Sequence, residues 1–75
     1  MRRIIDDVMY DTELSDLIYE DSNTHQRWYK TKNGRFFIAY ISGDICVVDE
    51  ETVKQLLGSK DINMYIELFG EPEEG

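Results

Sequence analysis

The run Arg27-Trp28-Tyr29-Lys30-Thr31-Lys32-Asn33-Gly34-Arg35-Phe36-Phe37-Ile38-Ala39-Tyr40-Ile41 constrains this chain more than any other part of it. Two segments rich in aromatic and β-branched residues flank an Asn-Gly dipeptide, the strongest short-range hairpin signal. Asn33 and Gly34 tolerate the positive φ of a type I′ turn, so the sequence predicts a two-residue loop with Lys32 opposite Arg35. Counting outward, Thr31 faces Phe36, Lys30 faces Phe37, Tyr29 faces Ile38, Trp28 faces Ala39 and Arg27 faces Tyr40. This register puts Tyr29, Phe36, Ile38 and Tyr40 on one face, the expected core. The other face carries Lys30, Lys32 and Arg35 near the turn, with Trp28, Phe37, Ala39 and Ile41 toward the base.

The same stretch holds four of the eight basic residues and no acid. Residues 1–24 carry net −5, residues 25–43 net +4 and residues 44–75 net −7, which gives −8 for the chain. Phosphate backbones repel such a chain overall, so the charge argues against general nucleic-acid binding and for a basic partner. At 75 residues, with 41% hydrophobic residues, the chain has length for one small domain and enough apolar side chains for a core. The single cysteine, Cys46, excludes an internal disulfide and a cysteine-based metal cluster and suits a reducing cytosol. No apolar run approaches the length of a membrane span, and Met1-Arg2-Arg3-Ile4-Ile5-Asp6-Asp7 lacks the apolar core of a signal peptide. The expectation is a soluble cytoplasmic protein. A homodimer would add buried area to so small a domain, although nothing in the sequence specifies one.

Along the chain, Arg3–Ile5 and Val8–Tyr10 read as short strands around an Asp6-Asp7 turn. Asp11 or Thr12 can cap one turn through Ser15, and Leu17-Ile18-Tyr19 reads as a third strand. A polar loop, Asp21 to Thr24, leads into the central hairpin. Ser42-Gly43-Asp44 is another turn, and Ile45–Val48 a short apolar strand. Asp49 can then cap a helix whose Val53, Leu56 and Leu57 fall at helical spacing, with Gly58 as its stop. Asp61 can cap a second helix with Ile62, Tyr65, Ile66 and Phe69 on one face. The predicted fold is therefore α+β. An antiparallel β-sheet of five or six strands in short hairpins (1–48) precedes two short C-terminal helices (49–70) packed on one face, and 71–75 is a loose acidic tail.

Three segments carry a resemblance. Ile4-Ile5-Asp6-Asp7-Val8-Met9-Tyr10-Asp11-Thr12-Glu13 is similar to a segment Ile-Ile-Asn-Gly-Lys-Leu-Tyr-Asp-Thr-Glu. Trp28-Tyr29-Lys30-Thr31-Lys32-Asn33-Gly34-Arg35-Phe36-Phe37 is similar to Leu-Tyr-Lys-Thr-Lys-x-Gly-x-Tyr/Phe-Phe. Glu50-Glu51-Thr52-Val53-Lys54, followed by Tyr65-Ile66-Glu67-Leu68-Phe69-Gly70, is the third. In these the chain resembles a family of small acidic proteins of phages and mobile elements of Firmicutes. It departs from the family in having Asp6-Asp7 where Asn-Gly is usual and in lacking a Gly-rich insert after the hairpin. Small acidic proteins of that provenance include inhibitors of host defence such as anti-CRISPR proteins, and the resemblance implies a role of that kind.

The residues themselves offer little chemistry. His25, beside Asp21, Ser22 and Thr24 in a loop, has sequence adjacency without the geometry of a triad. Cys46 lies mid-strand between apolar neighbours and reads as a small buried hydrophobe without an activating base. No acid cluster follows a calcium-loop pattern, no zinc ligand set exists, and no Gly-rich run cradles phosphate. The expectation is a protein with no enzymatic activity and no cofactor or metal. Two surfaces remain as binding candidates. One is acidic: Asp6, Asp7, Glu13, Asp16, Asp49, Glu50, Glu51 and Glu67, able to occupy a basic groove built for phosphates on a host defence effector such as a nuclease. The other is the basic aromatic hairpin face of Trp28, Lys30, Lys32, Arg35 and Phe37, which in kind suits single-stranded nucleic acid and a regulator's role. A structural or assembly subunit is a third class.

Overall fold

The computed structural model describes all of residues 1–75. Six strands precede two helices: β1 (Arg2–Ile5), β2 (Val8–Asp11), β3 (Asp16–Glu20), β4 (Arg27–Lys30), β5 (Phe36–Ala39), β6 (Ile45–Val48), α1 (Glu50–Lys60) and α2 (Ile62–Phe69). The expected α+β class is observed, with the strands split into two antiparallel sheets. β1 and β2 form a separate ribbon, and β3-β4-β5-β6 form a four-stranded meander. The molecule is layered as ribbon, sheet and helices.

The central hairpin has a different register from the one the Asn-Gly dipeptide predicts. Lys30 pairs with Phe36, Tyr29 with Phe37, Trp28 with Ile38 and Arg27 with Ala39. The loop contains Lys32, Asn33 and Gly34, closed by Thr31 N–H donating to the Arg35 carbonyl at 2.8 Å and Gly34 N–H to the Thr31 carbonyl at 3.0 Å. Asn33 keeps a negative φ, and only Gly34, at +84°, enters the left-handed region. This is the three-residue turn-plus-bulge loop. Arg35 N–H also donates to the Thr31 hydroxyl at 3.0 Å, a bond the two-residue loop would not place. The β5–β6 loop repeats the pattern, with Gly43 at +97° and Gly43 N–H donating to the Tyr40 carbonyl at 3.0 Å. The true two-residue loop in the chain is Asp6-Asp7, where both residues have positive φ (51° and 64°), as type I′ geometry requires.

A one-residue slip moves every side chain of β4 to the other face relative to β5. Trp28, Phe36 and Ile38 face the helices and pack with Ile18, Val53 and Leu57. Tyr29, Phe37 and Ala39 face the ribbon and pack with Tyr10 and Ile45. Tyr29 stacks on Phe37 with ring centroids 5.2 Å apart, and Tyr10 meets the same ring edge-on at 5.5 Å. A β-bulge at Ile18, between the pairs Leu17–Tyr29 and Tyr19–Trp28, turns Ile18 and Tyr19 together toward the helices. Within the helix-side core, Trp28 Nε1 is buried without a hydrogen-bond partner.

Asp49 caps α1 as expected, accepting from Thr52 N–H at 2.9 Å. Gly58 does not stop it. The helix continues to Lys60, where Ser59 Oγ donates to the carbonyls of Gln55 and Leu56 and Asp61 N–H donates to the Leu57 carbonyl at 2.9 Å. Asp61 then caps α2 through Met64 N–H at 3.2 Å. The packed side of α2 is Met64, Tyr65, Leu68 and Phe69, whereas the predicted face included Ile62, which is 60% exposed. Phe69 fixes this rotation by meeting Phe36 at 6.0 Å and taking the Lys54 ammonium 5.2 Å above its ring. Residues 71–75 carry no regular structure and are exposed.

Gly58 lies inside α1 with open space where a Cβ would stand. Gly58→Ala is expected to stabilise the fold by about 0.5–1 kcal/mol through helix propensity, read as a Tm rise of a few degrees. One residue away, Leu57→Ala empties a fully buried site and is expected to cost about 2–5 kcal/mol in the same thermal melt.

Candidate protein-binding surface

The strand register sets which loops share an end of the molecule. Across the sheet, Asp16, Lys30, Phe36 and Val48 lie in one row. The Thr31–Arg35 loop and the Asp49 cap follow directly from that row. A shallow groove of about 140 Å³ at this end is lined by Val8, Met9, Asp11, Leu14, Lys32 and Arg35 among others, so the ribbon meets the hairpin loop here. Its neighbour, about 310 Å³, has Arg35, Val47, Asp49 and Glu50 in its lining.

Of the eight acidic candidates, Asp49 and Glu50 line these grooves, and Asp6, Asp7, Glu13, Asp16 and Glu51 lie within two residues of a lining residue. Asp6 and Asp7 form the turn that precedes Val8. Glu13 stands between Asp11 and Leu14, Asp16 opens the row, and Asp49, Glu50 and Glu51 begin α1. Glu67 stands on α2, far in sequence from both linings. All eight are exposed. None is in an ion pair, because the two in the structure are Arg3–Asp44 at 3.6 Å and Glu20–Arg27 at 2.9 Å. Lys32 and Arg35, also unpaired and exposed, line the same grooves.

The hairpin face expected to combine aromatic and basic residues does not form. Trp28 and Phe37 lie on opposite sides of the sheet, 7% and 0% exposed, each in a different core. The corrected register is the cause. Lys30 points with Trp28 toward the helix side, and only Lys32 and Arg35 stand out in the loop. Neither ring is accessible for stacking on a base.

At the opposite end a cleft of about 360 Å³ includes Thr12, Glu20, His25, Arg27, Tyr29 and Tyr40 in its lining. The Glu20 carboxylate, hydrogen-bonded to Arg27, raises the guanidinium's pKa above its ordinary value. Asp21 does not orient His25. Its Oδ1 accepts from Asn23 N–H at 2.9 Å and Thr24 N–H at 3.3 Å, while His25 N–H goes to the Asp21 carbonyl at 2.8 Å. Cys46 is exposed, correcting its sequence assignment as a buried residue, because its side of the edge strand has no neighbour beyond it. Burial, and then the adjacent Cys46, pushes the Tyr40 phenol up. No group of three or more His, Cys, Asp or Glu side chains is placed to hold a metal ion, and no helix is long and apolar enough to cross a membrane.

Asp11, 8% exposed, caps the turn after β2, a role its sequence position offered, by accepting from Glu13 N–H at 2.9 Å. Sequence reading missed two contributors. Asp44 ties the ribbon to the sheet through Arg3. Val47 is an exposed apolar residue on an open strand edge, and its only sequence signal was an uncharged run that also fits a core strand. No protein-family model, curated protein or solved structure matches the chain.

Two carboxylates have depressed pKa values: Asp49, chiefly through the Thr52 hydroxyl and then Thr52 N–H, and Asp21, through the N–H groups of Asn23 and Thr24. Their charged forms are favoured in the folded state, so this stabilisation is complete above the unfolded carboxylate pKa, about 3.9. It is lost as pH falls through the lower folded values. Tm should therefore fall on acidification below about pH 4, and Asp49→Asn, which keeps a capping oxygen but no charge, should flatten that limb of a Tm–pH curve.

Proposed function

We propose that this protein is a non-enzymatic inhibitor encoded by a phage or mobile element. It binds a host defence effector of the kind anti-CRISPR proteins target and covers a basic, nucleic-acid-handling surface. The observation that supports this most is that seven exposed, unpaired carboxylates on three separate segments line, or lie within two residues of, the grooves at one end of the sheet. Carboxylates held at intervals on turns and a helix start can meet guanidinium and ammonium groups spaced for phosphates. The mechanism is competition. Acids with no internal partner pay no ion-pair exchange cost on binding, and the effector's cations lose their nucleic-acid ligand. The resemblance to small acidic phage and mobile-element proteins points the same way. Burial of Trp28 and Phe37 counts against a regulator that stacks nucleic acid on the hairpin.

The triple reversal Glu13→Lys, Asp16→Lys and Glu51→Lys avoids the Asp49 cap and the strained Asp6-Asp7 turn. It should abolish both capture of an effector from defence-carrying lysates and inhibition of its nuclease activity. A control with the same charge change in the tail, Glu71→Lys, Glu73→Lys and Glu74→Lys, should retain both. Equal loss in the two triples would reduce the mechanism to net charge, and full retention by the first would refute it.

A further inference from the structure

Asp44 and Asp49 bracket β6, and the four residues between them, Ile45-Cys46-Val47-Val48, carry no charge. β6 is an outermost strand, paired only with β5. Tyr40 N–H donates to the Asp44 carbonyl at 2.9 Å, which makes Tyr40 and Asp44 a hydrogen-bonded pair. Antiparallel alternation then turns the amide groups of Cys46 and Val48 toward Ile38 and Phe36 and those of Ile45 and Val47 out of the sheet. Around the Val47 carbonyl the structure has only the Cys46 thiol, at 3.8 Å. The opposite edge, β3, is interrupted by the Ile18 bulge and carries Asp16 and Glu20, features that discourage strand pairing. β6 has an unbroken register and neither device, and Val47 is 41% exposed.

We propose that the β6 edge takes an extended segment of a partner protein by strand addition, and that this segment has an apolar centre and Lys or Arg at both ends. Main-chain bonds to Ile45 and Val47 hold it, and an apolar side chain covers Val47. The charge requirement comes from the flanks. Asp44 is 70% exposed even with Arg3 3.6 Å away, and Asp49, Glu50 and Glu51 stand at the other end. A second copy of this chain fits poorly in the register centred on Val47, where antiparallel self-pairing sets Asp44 against Glu50 and brings the acidic flanks of the two copies together. The inference rests on the reading of Asp49–Glu51 as part of a protein-binding surface and adds the strand edge beside them.

The probe is the synthetic peptide Lys-Lys-Val-Thr-Val-Thr-Val-Lys-Lys, titrated into the isotope-labelled protein. The Ile45 and Val47 amide resonances should shift and their hydrogen exchange should slow, with little change at Cys46 and Val48. Val47→Pro removes an outward donor without breaking a β5–β6 bond, and should abolish the shifts. If that variant does not fold by circular dichroism, Val47→Lys replaces it, keeping the N–H but setting a cation against the peptide. A peptide with Glu in place of every Lys should bind at least about tenfold more weakly. Unshifted Ile45 and Val47 amides at the solubility limit of the peptide, or equal binding of the two peptides, would overturn the proposal. So would self-association that Val47→Pro removes, which would assign the edge to a second copy. Unshifted amides, combined with loss of effector capture in the Glu13/Asp16/Glu51 reversal, refute the edge and leave the acidic-end reading standing. The opposite pair of results refutes that reading and keeps the edge.

Discussion

Phe36–Ala39 is buried on both faces, and the rest of the molecule is arranged to keep it so. Phe37 has no exposed surface and is held between the Tyr29 ring and the edge of Tyr10, while Phe36 and Ile38 look the other way into Val53 and Leu57. Burying an aromatic side chain of this size is worth about 1.5–3 kcal/mol. A strand with two apolar faces needs two covers, and the ribbon and the helices supply them. The ribbon brings Tyr10, Ile5 and Val8, and the helices bring Val53, Leu57 and the half-buried side of α2. With only 12 residues of 75 buried, neither cover can be spared.

The same economy explains where the charge sits. Three segments reach the end of the sheet that holds the Thr31–Arg35 loop, and each arrives in a turn or at a helix start, where Asp and Glu serve the backbone. Asp49 caps α1 and Asp11 holds the turn after β2. Asp6 and Asp7 accept a left-handed conformation that most residues resist. Local geometry therefore collects carboxylates at one end, and the topology leaves them without cations inside the protein. An excess of one sign held on separate segments raises the potential around that end, a property useful toward a basic partner and costly for self-association.

The hairpin shows why the sequence located its strands and missed their faces. Both arms are apolar on both sides, so hydrophobic alternation does not choose between two registers one residue apart. The choice fell to loop geometry, where the Thr31 hydroxyl and the bulge at Gly34 favour three residues over two. That single step separated Trp28 from Phe37 and removed the aromatic basic face. Gly58 is a parallel case: its helix-stop propensity of about 1 kcal/mol was outweighed by packing of Leu57 and the Ser59 and Asp61 bonds beyond it.

The sequence alone determined the six strand segments, the two helix starts at Asp49 and Asp61, the α+β class and the polarised charge, because each is written in local propensity, capping or composition. Tertiary structure decided the hairpin register, the division of strands into ribbon and sheet, the exposed side of α2 and the grooves that Lys32 and Arg35 line with Asp11, Asp49 and Glu50. Those depend on which distant surfaces meet. A chain whose central strand is apolar on both faces carries no local signal for which cover goes where, and only simultaneous packing of ribbon, sheet and helices selects it.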